Sequence, residues 1–255
     1  MQIYPCLQNR KRCPLSSSEW KTIPWLTNPK SPKDKLLDIL IELPGVLEDI
    51  STSETLSDQP EQRFVLLKRL EGKCWLYDRQ LLSWATSCGA DIISFVETLI
   101  TVQNVKDESS GSALPSIDLA MAHLGLIYWT TYNLLSQILF WLTEACLSKE
   151  DKTQLPPHLD PNLYCRKVDL LIPYFKKRGV GSYFVSFIGF PVTVVASFLA
   201  RHDTSGNLSE AREFLARALD GEHGILLKRF LATWPWMTRP ESETLGFTET
   251  QPVAK

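Results

Sequence analysis

The chain has 255 residues, of which 44% are hydrophobic, and its formal net charge is −2. This composition supports a sizeable globular core, and the near-neutral charge excludes the overall basic excess that is typical of nucleic-acid binding. Six cysteines are spread over the length without a closely spaced pair, which indicates a reducing compartment instead of a disulfide framework.

Residues 1–31 are predicted to form an irregular N-terminal arm, because its prolines exclude long helices. No apolar run follows the basic cluster at 10–12, so no signal peptide is expected. We interpret that cluster as an exposed tail in preference to a nuclear import signal. The large apolar residues of the arm predict either a strap over an apolar groove, which we favour, or protein-contact anchors. The candidate contact residues are Trp20, Ile23 and Trp25.

The first long helix is expected to begin after the arm. Ser31 can cap it, Pro32 suits the first helical position, and Asp34 lies in the positively polarised first turn. Pro44 and Gly45 are expected to break this helix, after which apolar residues allow it to resume.

The segment 60–85 carries the clearest helical pattern. Its apolar residues recur at spacings of three and four, which places them on one face of an α-helix that packs against another helix. These residues are Leu67, Leu70, Cys74, Tyr77, Leu81 and Trp84. The apolar residues at 92–96 fit either a further helix or a packed loop, and residues 103–113 are typical of an exposed loop.

The longest predicted helix covers residues 117–147. No charged residue lies between His123 and Glu144, so the helix is expected to be buried on most of its circumference. Ser116 is its expected cap. The length of the 60–85 helix suggests that it runs beside this central helix.

The remaining helices are predicted after a charged loop at 148–158. Asp160 and Pro161 open one helix, which Pro173 kinks or ends. Its inner side is expected to consist of Leu163, Tyr164, Val168, Leu171, Ile172 and Phe175. Further helices are expected from near Pro191 to Arg201, at 209–219 and at 225–233, before a disordered tail at 237–255.

The predicted fold is all-α, with about seven helices packed as antiparallel pairs around the long central helix in one domain at 32–236. Residues 124–143 and 179–200 are long enough to cross a membrane. Asn133 and Gln137 argue against the first crossing, and Gly189 and Pro191 are expected to divide the second, so no membrane contact is predicted.

No recognisable catalytic or metal-binding pattern occurs in the sequence. His123, His158, His202 and His223 are scattered without metal-ligand spacing, so neither a metal nor another cofactor is expected. We do not expect an enzyme. The catalytic alternative is a biosynthetic enzyme with a pocket between helices, for which His123, Tyr128 and Tyr132 are the only polar groups to nominate. A membrane-associated helical protein is a further alternative.

Several motifs occur in an order that resembles a known family. They are EWKTIPW at 19–25, PKSP at 29–32, LLDI at 36–39, LPG at 43–45, AMAH at 120–123, YWTT at 128–131, YCRK at 164–167, IPYF at 172–175 and IGFP at 188–191. Together they resemble the C-terminal regulatory region of fungal zinc-cluster transcription factors over about residues 19–236.

The resemblance implies an all-α regulatory domain that acts through protein contacts, often in regulators of secondary-metabolite gene clusters. A protein partner or a second copy is therefore expected, a small-molecule effector in the helical body is allowed for, and the expected location is the nucleus or else the cytoplasm. The family binds DNA through six cysteines that hold two zinc ions. Cys6 and Cys13 match one gap of that module, but no closely spaced pair exists, so direct DNA binding is not expected.

Overall fold

The computed structural model describes residues 3–103, 116–146, 155–176, 183–203, 206, 208–221 and 224–232. Across these residues the regular structure is helical and contains no β-strand, so the predicted all-α class is confirmed. The helices are α1 Ile3–Gln8, α2 Ser18–Thr22, α3 Pro32–Leu40, α4 Leu43–Glu54, α5 Pro60–Thr86, α6 Ala90–Gln103, α7 Ser116–Cys146, α8 Pro161–Phe175, α9 Tyr183–Arg201, α10 Ser209–Leu219 and α11 Gly224–Ala232. Short 3-10 helices lie at Pro14–Ser16, Ile23–Trp25 and Pro157–Leu159.

The arm, predicted to be irregular and without long helices, contains short helical segments. They are α1, α2 and two 3-10 helices. With α4 and α6, which the sequence left open, the α-helices in the described residues number eleven, against about seven predicted. Pro14 and Pro24 lie at the first or second positions of their 3-10 helices, and Pro44 likewise belongs to the first turn of α4. Proline is tolerated there because a first-turn N–H has no partner within the helix.

Two predicted helices are confirmed in detail. At the start of α3 the Asp34 N–H donates to Ser31 Oγ over 3.3 Å, and the Ser31 N–H donates to Asp34 Oδ2 over 3.1 Å. This reciprocal capping box satisfies N–H groups that the helix leaves unpaired. All six residues of the stripe predicted on α5 are buried.

The chain divides into two compact units, whereas the sequence predicts one helical domain at 32–236. One unit comprises residues 1–107 and 120–167, and the other comprises 108–119 and 168–255. Helices α7 and α8 each contribute residues to both units, so two of the boundaries between the units lie inside helices. The predicted packing of antiparallel pairs around α7 stays a prediction for the chain as a whole.

In the first unit, α5 lies beside α7 as predicted. The Trp84 ring stacks on Tyr128 with centroids 5.2 Å apart, and Asp78, further towards the start of α5, contacts Tyr132 further along α7. The two helices therefore run in opposite directions. Helices α3, α4 and α6 also contact α5. Helix α5 therefore packs against several helices of this unit.

In the second unit, α9 contacts both α10 and α11. The predicted start of α9 near residue 190 is wrong, because the helix begins at Tyr183 and contains Gly189 and Pro191. The hydrogen bond that proline removes costs about 3 kcal/mol in a helix interior, and burial of the surrounding apolar side chains offsets this cost. Those buried side chains are Phe184, Ile188, Phe190, Val192, Val195 and Phe198.

The ends of the other helices in this region largely follow the sequence. Helix α8 continues through Pro173 to Phe175, and five of its six predicted inner residues are buried. Leu163 is the exception, with 37% of its surface exposed, because it lies off the stripe that begins at Tyr164. Helix α10 has the predicted bounds, and α11 is displaced by one residue from the predicted 225–233.

Several sequence predictions concern parts of the chain outside the described residues. They are most of the loops at 103–113 and 148–158, the histidine at position 223, and the tail at 237–255. Among the described residues, α9 contains a segment long and apolar enough to cross a membrane, Phe184–Arg201, and 61% of it is buried inside the structure.

Candidate functional site

An exposed apolar surface, which we call the arm patch, lies on the N-terminal arm and consists of Trp20, Ile23 and Leu26. Their exposed fractions are 57%, 61% and 79%. The three residues are spaced three apart along α2 and the 3-10 helix that follows it, a spacing that brings side chains into line where there are three residues per turn. Large apolar groups clustered in this way are typical of a partner-binding site.

The arm beside this patch is held to the body of the first unit by ion pairs. The Lys21 ammonium pairs with the Glu42 carboxylate, and Lys30 pairs with Asp38. Tyr77 donates a hydrogen bond to the second oxygen of Glu42 over 3.3 Å. The two ion pairs tie the arm to α3 and to the residue that precedes α4, and the apolar groups of the patch face solvent.

An open groove of about 710 Å³ lies between the arm and helices α3 and α5. Lys21, Glu42 and Trp84 belong to its walls, together with Lys35 and Arg79. The last two cations form no ion pair with any residue that the structure describes, so the groove offers positive charge to a ligand.

A buried polar cluster lies where α5 meets α7. Asp78, 4% exposed, accepts a hydrogen bond from the Tyr132 hydroxyl over 3.2 Å, and its Oδ1 lies 3.0 Å from His158 Nε2. The Tyr164 hydroxyl donates to the His158 carbonyl oxygen over 2.6 Å, and its ring stacks on Tyr132 at 4.9 Å. The cluster therefore joins α5, α7 and the start of α8.

The chemistry of this cluster favours a structural role. Burial raises the pKa of Tyr132 well above its ordinary value, and the neighbouring Tyr128, Asp78 and Tyr164 raise it further. Burial is also the main cause of the raised pKa of Tyr164. Both phenols thus stay protonated at neutral pH and act as hydrogen-bond donors. An aspartate that orients a histidine is a common base in proton transfer, but neither Asp78 nor His158 lines the groove.

The three residues nominated for an enzyme, His123, Tyr128 and Tyr132, all lie on α7. Tyr128 and Tyr132 lie together, with ring centroids 5.1 Å apart, and none of the three lines the groove. Tyr132 also contacts the ring of His158, with centroids 6.4 Å apart. The spacing of Asp78, four residues after Cys74 and three before Leu81, could have identified it as a buried carboxylate on the α5 stripe. Among the described residues no cluster of three or more metal-binding side chains occurs.

The predicted contact residues differ in their exposure. Trp20 and Ile23 project into solvent, which contradicts our preference for a strap over an apolar groove. Trp25 is partly buried, with the Lys30 ammonium 5.8 Å from the centre of its ring. Sequence reasoning missed Leu26, the most exposed member of the arm patch, although it continues the three-residue spacing.

No protein-family model, curated protein or solved structure matches this chain.

Proposed function

We propose that this chain is a transcription-regulator-like protein that acts through protein contacts made by the arm patch. Its proposed role is to control a secondary-metabolite gene cluster from the nucleus or the cytoplasm, without a zinc-cluster module of its own. The regulatory class is supported by the motifs that resemble fungal zinc-cluster regulators.

The observation that carries the proposal is the exposure of the arm patch. Burying each of its three large side chains in an interface would contribute about 1.5–3 kcal/mol of transfer free energy, before the entropic cost of association. The two ion pairs from Lys21 and Lys30 order the arm in advance, which lowers that entropic cost. The patch is therefore suited to bind a partner with an apolar surface.

The proposal is tested by replacing two anchors of the patch together, in the double variant Trp20→Ala and Ile23→Ala. We expect transcripts of the neighbouring gene cluster in the host to fall to the level of the deletion strain, because the partner contact is lost. Val65→Ala is the matched control, since Val65 is 67% exposed on α5 and lies outside the patch. Normal transcript levels in the double variant would disprove a regulatory role for the patch.

The same double variant must keep its fold for this test to be decisive. Because both side chains are largely exposed, the free energy of unfolding should change by no more than about 1 kcal/mol in total. Light scattering of the purified protein then identifies the kind of partner. A native dimer that the double variant converts to a monomer indicates a second copy, and a native monomer indicates a different protein.

A further inference from the structure

The groove between the arm and helices α3 and α5 carries two cations without an acidic partner. Lys35 of α3 and Arg79 of α5 both line it, and neither forms an ion pair within the described ranges of the chain. Both side chains are exposed, so a solute can reach them. The groove therefore presents unpaired positive charge from two different helices.

The two carboxylates that line the groove do not cancel this charge. Asp38 pairs with Lys30, and Glu42 pairs with Lys21. Burial, followed by the nearby charge of Glu42, raises the pKa of Tyr77 well above its ordinary value, so this phenol stays neutral and donates its hydrogen bond to Glu42. Each acid is thus matched by a lysine of its own, and the charge that remains in the groove is positive.

Part of the groove wall is apolar and aromatic. Ile39, Tyr77 and Trp84 belong to it, and each has 6% or less of its surface exposed. The Trp84 indole N–H donates to the Pro32 carbonyl oxygen over 2.7 Å, and its ring stacks on Tyr128. The polar group of the indole is therefore satisfied within the protein, and a ligand that covers this wall can gain from apolar contact alone.

The size and lining of the groove indicate which kind of molecule would suit it. Its volume of about 710 Å³ lies within the range of about 300–1,000 Å³ that is usual for small-molecule sites. Such sites combine apolar walls with a few polar groups that orient the ligand. An apolar ring would lie on the aromatic wall, and an anionic group would meet the unpaired cations.

We propose that this groove binds a small aromatic carboxylate. Its ring lies against Trp84 and Ile39, and Arg79 binds the carboxylate, because a guanidinium can donate to both carboxylate oxygens at once. Lys35 adds positive charge on the opposite wall and attracts the anion, while Lys21 stays paired with Glu42. This site is separate from the arm patch, none of whose residues lines the groove.

A titration with 2-naphthoate tests the proposal, with 2-naphthamide as the neutral molecule of matched shape. Amide signals of the full-length protein are followed by nuclear magnetic resonance, with attention to Gln80 and Ser83, which line the groove. We expect these signals to shift with a Kd of about 1 mM or below for 2-naphthoate. The amide should bind at least about tenfold more weakly, because it lacks the charge that Arg79 recognises.

Substitutions of the two cations identify the binding residues, and each has a matched control on the same helix. Arg79→Gln should weaken 2-naphthoate binding about tenfold or more, and Lys35→Gln about two- to fivefold, as suits an exposed charge. Arg69→Gln on α5 and Lys33→Gln on α3 should leave the Kd unchanged, because these exposed cations lie outside the groove. All four side chains are exposed, so the variants should keep their fold.

Three results would overturn the proposal. The first is equal binding of 2-naphthoate and 2-naphthamide, or no binding of either below about 10 mM. The second is an equal loss of affinity in the groove variants and their matched controls, which would indicate attraction by overall charge. The third is loss of binding in the double variant Trp20→Ala and Ile23→Ala, which would place the probe on the arm patch. Binding that survives in this double variant supports the groove, whatever the regulatory role of the patch.

Discussion

His123 of α7 is a titratable residue whose burial should affect stability. Burial lowers the pKa of its imidazole from 6.5 to about 4, and the positive charge of Lys33 is the smaller cause. As the pH falls below about 6.5, the unfolded chain binds a proton at this ring that the folded chain excludes. The stability associated with the neutral ring is therefore complete above that pH and is lost progressively towards pH 4.

Replacing this residue should remove that part of the pH dependence. We expect the native protein to lose about 2–3 kcal/mol more unfolding free energy than His123→Gln between about pH 7 and about pH 4.5. Urea unfolding of both proteins at several pH values measures the difference, and carboxylates that titrate in the same range contribute equally to both. Parallel curves for the two proteins would show that His123 is accessible to protons in the folded chain.

At the scale of elements, α6 packs closely against α7 because Gly125 of α7 has no side chain. A Cβ atom at Gly125 would lie 2.6 Å from Val96 Cγ1, closer than atoms can pack. Gly125→Ala should therefore destabilise the protein by about 1–3 kcal/mol, even though alanine favours a helix by about 1 kcal/mol over glycine. Thermal and urea unfolding give the change in free energy.

Gly72 offers a matched control in the interior of α5, because a Cβ atom there would meet nothing within 4 Å. Gly72→Ala should stabilise the protein by up to about 1 kcal/mol. Combining Val96→Ala with Gly125→Ala should cost less than the sum of the two single substitutions, since the contact is then relieved. Additive costs of the two substitutions would contradict a direct clash between α6 and α7.

The sequence predicted the structure correctly where the spacing of apolar residues alone determined which face of a helix is buried. All six apolar residues of the α5 stripe between Leu67 and Trp84 are buried, because their spacing places them on one face of the helix and their apolar character favours burial of that face. It failed where burial outweighs a local preference, as at Pro191 inside α9. It also could not pair Asp78 with His158, which lie 80 positions apart, because spacing within a helix carries no information about such contacts.

For the molecule as a whole, the surroundings of α9 bear on whether the protein is soluble or membrane-associated. The segment Phe184–Arg201 could span a membrane by length and composition, yet 61% of it is buried inside the structure. Helices α10 and α11 contact it, and a Cβ atom at Gly189 would lie 2.6 Å from a Phe230 ring carbon. Protein side chains thus occupy much of the surface that lipid would otherwise cover.

We therefore expect the full chain to remain in the aqueous supernatant after carbonate extraction of the expressing cells. Val195→Asp should destabilise the purified protein by several kcal/mol, because this fully buried site leaves the carboxylate without solvent. Ser186→Asp, on the exposed side of α9, should change the unfolding free energy by about 0.5 kcal/mol or less. If the native chain instead resisted extraction and both variants were expressed with equal stability, α9 would have to face lipid and not α10 and α11.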